Sequence, residues 1–119
     1  MTHELVINGT TYEFNFGYRF LKEINKRATQ TVPNLNIENN IGLTVSLAKI
    51  AEDDIEELFN VLYLGNKGYS PRLEESEFTK WIDDEETNID EVFGRVKGFF
   101  MQSNCCKKTM QTMMAMASE

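Results

Sequence analysis

Two β-prone runs, Glu4–Ile7 and Thr10–Phe14, flank the dipeptide Asn8-Gly9, whose tolerance of positive φ suits the two-residue type I′ turn of a β-hairpin. A loop of that length fixes the register. Ile7 falls opposite Thr10, Leu5 opposite Tyr12 and His3 opposite Phe14, so Leu5, Ile7, Tyr12 and Phe14 share one face while Glu4, Val6, Thr11 and Glu13 share the other. An isolated hairpin is marginal in water, so the apolar face must rest on something else. The periodicity downstream says that this cover is helical.

From Asn15, read as an N-cap, Gly17, Phe20, Leu21, Ile24 and Ala28 recur at helical spacing. Thr29–Asn40, with Pro33 and five Asn or Gln, reads as a loop. Ile41, Leu43, Val45, Leu47, Ala48 and Ile50 then mark a second, more buried helix. Asp53 or Asp54 caps a third, with Glu56 and Glu57 in its first turn and Ile55, Leu58, Phe59 and Leu62 as its stripe, before Gly65 and Gly68 end it. Ser70-Pro71 reopens the chain into a short helix carrying Leu73, Phe78, Trp81 and Ile82. Thr87-Asn-Ile-Asp90, a variant capping box, opens the longest stripe: Ile89, Val92, Phe93, Val96, Phe99 and Phe100. Helices are thus expected over 16–28, 40–51, 54–64, 72–82 and 88–104. The fold class is mainly α (α+β), an N-terminal β-hairpin packed on a bundle of about five helices. Residues 1–104 form the single domain, and 105–119 read as a flexible Met-rich tail.

At 119 residues the chain has room for one core. Its net charge of −7 is unevenly spread, because residues 52–91 hold fourteen acidic and three basic side chains. Such a segment repels phosphate backbones, which disfavours nucleic acid as a partner. No apolar run approaches the roughly 20 residues of a membrane-spanning helix, and the start of the chain has neither the basic residues nor the apolar segment of a secretory signal. A cytosolic protein that needs no membrane is expected. The two cysteines, Cys105 and Cys106, are neighbours whose bridging would close a strained ring, so both are read as thiols. One histidine, His3, sits near the start, which leaves a zinc site or a histidine-centred triad without its other members.

The acidic run Asp83–Glu86 lacks the alternating oxygens, central glycine and closing Glu of a calcium loop, so it reads as a solvated loop between helices. No catalytic residue, cofactor or metal is therefore expected. Gly94 and Gly98, four apart in the fifth helix, favour a close helix crossing over simple surface tolerance. Met110, Met113, Met114 and Ala117 fall at i, i+3, i+4 and i+7, so a helix formed by the tail would carry a pliable apolar stripe suited to a partner. A disordered end without a role is the other reading.

The whole order of elements, from Leu5-Val-Ile-Asn-Gly-Thr-Thr-Tyr-Glu-Phe-Asn-Phe-Gly-Tyr-Arg-Phe through the Gly42-Leu43 helix and the Ser70-Pro71 restart to Trp81-Ile-Asp-Asp-Glu-Glu-Thr-Asn-Ile-Asp-Glu-Val-Phe93, resembles the tail assembly chaperones of long-tailed phages of Gram-positive bacteria. That resemblance implies a non-enzymatic assembly factor of the host cytoplasm, one that binds and solubilises the tape measure protein, helps recruit tail tube protein, self-associates as a homo-oligomer and is not found in the mature virion. In many phages with chaperones of this kind a frameshift near the end of the short product makes a longer version, and the Met-rich end here is where two such forms would part.

Physical chemistry points the same way on its own terms, since a chaperone for a helical client needs adaptable apolar surface and surplus charge rather than a catalytic group. Phe99, Phe100, Met101, Met110, Met113 and Met114 are the candidate partner-binding residues. The alternative, motivated by the charge of residues 52–91, is a small acidic DNA mimic that regulates or inhibits a nucleic-acid-binding protein.

Overall fold

Asn8 and Gly9 take positive φ, 53° and 80°, and turn strand β1 (His3–Ile7) back onto β2 (Thr10–Phe14) in a computed structural model that describes residues 2–27, 29–32 and 37–118. The pairing is the expected one, His3 opposite Phe14 and Ile7 opposite Thr10. Leu5, Ile7, Tyr12 and Phe14 are buried while Glu4, Val6 and Thr11 face outward. The described residues then form six helices: α1 (Tyr18–Asn25), α2 (Gly42–Ala51), α3 (Ile55–Gly65), α4 (Glu75–Asp83), α5 (Ile89–Gln102) and α6 (Lys107–Ala117). The protein is mainly helical, with the hairpin at its N-terminal end.

The hairpin is covered by an aromatic cluster. Phe16, buried in the link to α1, meets Phe20 edge-on at 5.1 Å and Phe100 of α5 at 4.6 Å. Its carbonyl accepts hydrogen bonds from Ser103 Oγ (2.6 Å) and Cys106 Sγ (3.6 Å), so the turn between α5 and α6 closes on the end of the hairpin. Around this centre Leu47, Ile50, Leu58, Val61, Leu62, Val96 and Met110 are fully buried.

Capping differs from the sequence reading in detail. Asp54 caps α3, accepting from the amide of Glu57 at 2.9 Å, and Asn88 rather than Thr87 caps α5, accepting from Glu91 at 3.1 Å. Asn15 is not the N-cap of α1; Gly17 holds that position, and Asn15 Oδ1 instead accepts from its amide in a two-residue turn. Ser70-Pro71 is a cis bond, and α4 starts four residues beyond Pro71, so the proline belongs to the connection and not to a first helical turn.

Two junctions hold the helices in place. Gly42 lies against the end of α1 so closely that a Cβ would collide with the carbonyl of Ile24, and Asn25 Oδ1 accepts from the amide of Leu43 at 2.9 Å, satisfying a donor at the start of α2. Asn66, with no exposed surface, uses its whole amide. Nδ2 donates to the carbonyls of Glu13 (3.0 Å) and Pro71 (3.1 Å), and Oδ1 accepts from the Leu73 amide (2.6 Å) and Arg72 Nη1 (2.8 Å). One side chain thereby joins β2, the end of α3 and the approach to α4.

Three expectations are corrected. Thr29–Asn40 is not wholly a loop: strand β3 (Thr29–Val32) pairs antiparallel with β4 (Ile37–Asn40), consistent with β-branched Thr29, Thr31, Val32 and Ile37 among the Asn and Gln. Residues 33–36, with Pro33, and Ala28 lie outside the described residues. The segment read as a flexible tail contains α6, which packs mainly on α2 and also on α5 through buried Met110 and half-buried Met113. Finally, a Cβ on Gly94 or Gly98 would meet nothing within 4 Å, so neither marks a close crossing. Gly94→Ala and Gly98→Ala should each stabilise the protein by about 0.5–1 kcal/mol through lower unfolded-state entropy. Thermal denaturation of the double variant checks this; a lower melting temperature would contradict it.

Candidate functional site

The six residues singled out from the sequence do not make one open face. Phe100 and Met110 have no exposed surface and belong to the core. Phe99 is half-buried and stacked on the His3 ring, centroids 4.5 Å apart and planes 16° from parallel, so His3 is held in β1 rather than loose at the chain start. Burial there lowers the His3 pKa from its ordinary value, helped by the positive N-terminus. Met101 and Met113 are half-buried against the core. Met114, 39% exposed, is the one member of the set open to solvent, and Met116 beside it is 60% exposed. An i, i+3, i+4 stripe says which side of a helix is apolar; it does not say whether a partner or the protein's own core covers it.

Among the described residues no group of three or more His, Cys, Asp or Glu is placed to hold a metal ion. The Cys106 thiol is fully buried, and burial pushes its pKa up to about 11, opposed by its hydrogen bond with Ser103. A thiol held protonated is a poor nucleophile. Cys105 is half-buried. Native protein should therefore take up one equivalent of iodoacetamide at pH 8, at Cys105, and two only after unfolding. Mass mapping that finds fast modification of Cys106 in the folded state would refute this placement.

Among the residues whose burial is described, Glu57 is the one buried carboxylate, and its bonds are structural. Glu57 Oε2 accepts from Ser46 Oγ at 2.6 Å and Arg27 Nη1 at 3.2 Å, and Oε1 accepts from Asn60 Nδ2 at 3.2 Å, tying α3 to α2 and to the residues after α1.

A different surface stands out on the acidic stretch of the chain. α3 is apolar on two sides: Leu58, Val61 and Leu62 enter the core, while Ile55 and Tyr63, at i and i+8, are exposed and Phe59 between them is half-buried against the core. Ile55 and Tyr63 are each 41% exposed. Phe59 packs on Phe78 of α4 with ring centroids 5.1 Å apart, and between the two helices runs an open groove of about 340 Å³ with Ile55, Phe59 and Phe78 in it and Glu56 and Glu75 at its edges. Further along α3, Arg72 stacks on the Tyr63 ring, 3.8 Å from its centroid, and donates to the Tyr63 carbonyl at 2.7 Å. The opposite side of α4 is fixed by the hairpin, since Asn8 Nδ2 donates to the carbonyl and Oε2 of Glu77 at 2.9 and 3.0 Å. Periodicity alone did not pick out this face. The signal was there, in the second apolar row of α3, but it merged with the core row.

The charges around the groove are one-sided. Lys67 pairs with Glu23 and Lys80 with Glu77, whereas among the described residues Glu56 and Glu75 have no ion-pair partner. Comparison with known families then decides the class: the model of the phage tail assembly chaperone protein family matches residues 4–114. The chain belongs to the phage tail assembly chaperone family. Comparison with curated proteins and with solved structures gives no significant match. In this tail assembly chaperone the family match runs from β1 into α6, so it includes most of the helix that the sequence reading set apart as a tail. No described helix of the chaperone is long and apolar enough to cross a membrane.

Proposed function

We propose that this chaperone binds the tape measure protein, keeps its amphipathic helices dissolved, and helps bring tail tube subunits to it, without catalysing a reaction. Family membership carries this reading. It is supported by a surface that combines exposed apolar side chains, Ile55, Tyr63, Met114 and Met116 among them, with a net charge of −7. Apolar side chains at helical spacing fit the apolar stripe of a client helix, and surplus charge keeps the complex from aggregating. The hairpin and helices act as a single unit, self-associated as a homo-oligomer, in the host cytoplasm, and the protein is released before the virion is complete.

The test is co-expression with the tape measure protein encoded in the same tail cluster. The client should move from the pellet to the supernatant and co-purify with the chaperone. A client that stays insoluble and brings nothing down defeats the proposal. The DNA-mimic alternative rests on charge alone, and family membership weighs against it.

A further inference from the structure

Resting on the chaperone reading, we infer that the groove between α3 and α4 is the seat of one client segment: a short amphipathic helix with large apolar residues on one face and Lys or Arg flanking them. The floor and the rim choose this occupant together. Ile55, Phe59 and Phe78 offer an aromatic and aliphatic floor along two neighbouring helices, the shape into which an apolar helix face lays its i and i+4 side chains. Glu56 and Glu75 stand on opposite walls as exposed carboxylates, and among the described residues no cation pairs with either. The stretch they belong to, residues 52–91, carries a net charge of −11, and two of its three cations, Lys67 and Lys80, are already held by carboxylates of this chain. An acidic or neutral helix would leave the rim unmatched; a basic-flanked one meets it at both walls. A second copy docking groove to groove is a poor occupant, because it would bring an equally acidic face to the same rim.

The site is open and its walls are anchored elsewhere, α4 to the hairpin through Asn8 and Glu77 and α3 to α2 through Glu57 and Ser46. Ile55, Glu56 and Glu75, exposed in the lining, are therefore replaceable without dismantling the core, to which Phe78 belongs.

Three variants separate this inference from its alternatives. The first carries Glu56→Lys and Glu75→Lys, the second Ile55→Asp, and the third, a charge control of equal size, Glu85→Lys and Glu86→Lys in the exposed acidic loop. Circular dichroism melting should show all three folded like the wild type. The probe is a synthetic 18-residue Leu/Lys amphipathic helix with a fluorescent label, read by anisotropy beside its Leu/Glu counterpart. We expect the Leu/Lys peptide to bind the wild-type protein and the control alike, to bind the first two variants about tenfold or more weakly, the first by reversing the rim charge and the second by removing an apolar anchor, and to lose affinity as salt rises. The Leu/Glu peptide should not bind. Equal binding by the groove variants and the wild type, equal weakening in the control, or loss of a homo-oligomer rather than of peptide in the groove variants would each overturn the inference. Co-expression with the tape measure protein keeps the two readings apart. If the groove variants still solubilise the client, the groove is wrong and the chaperone reading stands; if the wild type fails to solubilise it while peptide binding follows the groove, the reverse holds.

Discussion

Asn66→Ala is expected to lower the melting temperature by about 10–20 °C, equivalent to about 3–5 kcal/mol for a domain of this size. The reason is the number of groups that one amide serves. Its truncation leaves the buried Leu73 amide and the part-buried Glu13 and Pro71 carbonyls without their partner, and a buried polar group deprived of a bond costs roughly 1–3 kcal/mol, a part-buried one less. Arg72 loses an acceptor too, but it retains the Tyr63 carbonyl and ring. Asn66→Asp divides the effect. It keeps both acceptor bonds and turns an oxygen toward two carbonyl oxygens that previously received N–H donors, so it should also destabilise, and more so at neutral than at acidic pH, where protonation restores one donor. Denaturation curves across pH check this. If neither variant moves the midpoint by more than about 3 °C, water replaces the amide and the junction is not held by Asn66.

Removing residues 105–119 should be as damaging. With α6 gone, Cys106 and Met110, both fully buried, leave the core, and faces of α2 and α5 become exposed. Losing two buried side chains costs about 1.5–3 kcal/mol each before the uncovered surface of their neighbours is considered. The total, about 5 kcal/mol or more, reaches the whole stability of a typical domain, which is about 5–15 kcal/mol. The truncated chain should lose its cooperative melt and bind a hydrophobic dye. Met114→Ala with Met116→Ala, at exposed positions of the same helix, should stay within about 0.5 kcal/mol of wild type. A truncated protein that melts like the full chain would show that α6 contributes nothing to the fold.

What the sequence made legible follows from where the physics is local. Asn8-Gly9 dictates a turn whose register any alternation of Leu5, Ile7, Tyr12 and Phe14 must obey, so the hairpin could be written down residue by residue. The caps at Asp54 and Asn88 lie within a residue of their expected places for the same reason. Long-range partners had no such mark. Asn66 looks like any helix-ending Asn until Glu13, 53 residues away, is placed beside it. α6 was not placed because its segment holds no aromatic, Leu, Ile or Val anchor, although its methionine stripe was visible. The second apolar row, Ile55, Phe59 and Tyr63, was hidden by the core row of the same helix, and helical spacing cannot assign either to solvent. Of the candidate binding residues, Phe100 and Met110 were apolar enough to be noticed, which is also why the core took them.

The contact between Ser103 and the Phe16 carbonyl spans 87 residues of chain. Because translation adds roughly 5–20 residues per second, the N-terminal strands emerge roughly 5–20 s before the segment that seals them. During that interval Phe14, Phe16 and Phe20 have no final resting place. A nascent chain stalled before Phe99 should thus remain protease-sensitive throughout, and ribosomes that pause late in this message would hold an unfinished, sticky intermediate rather than a half-folded protein.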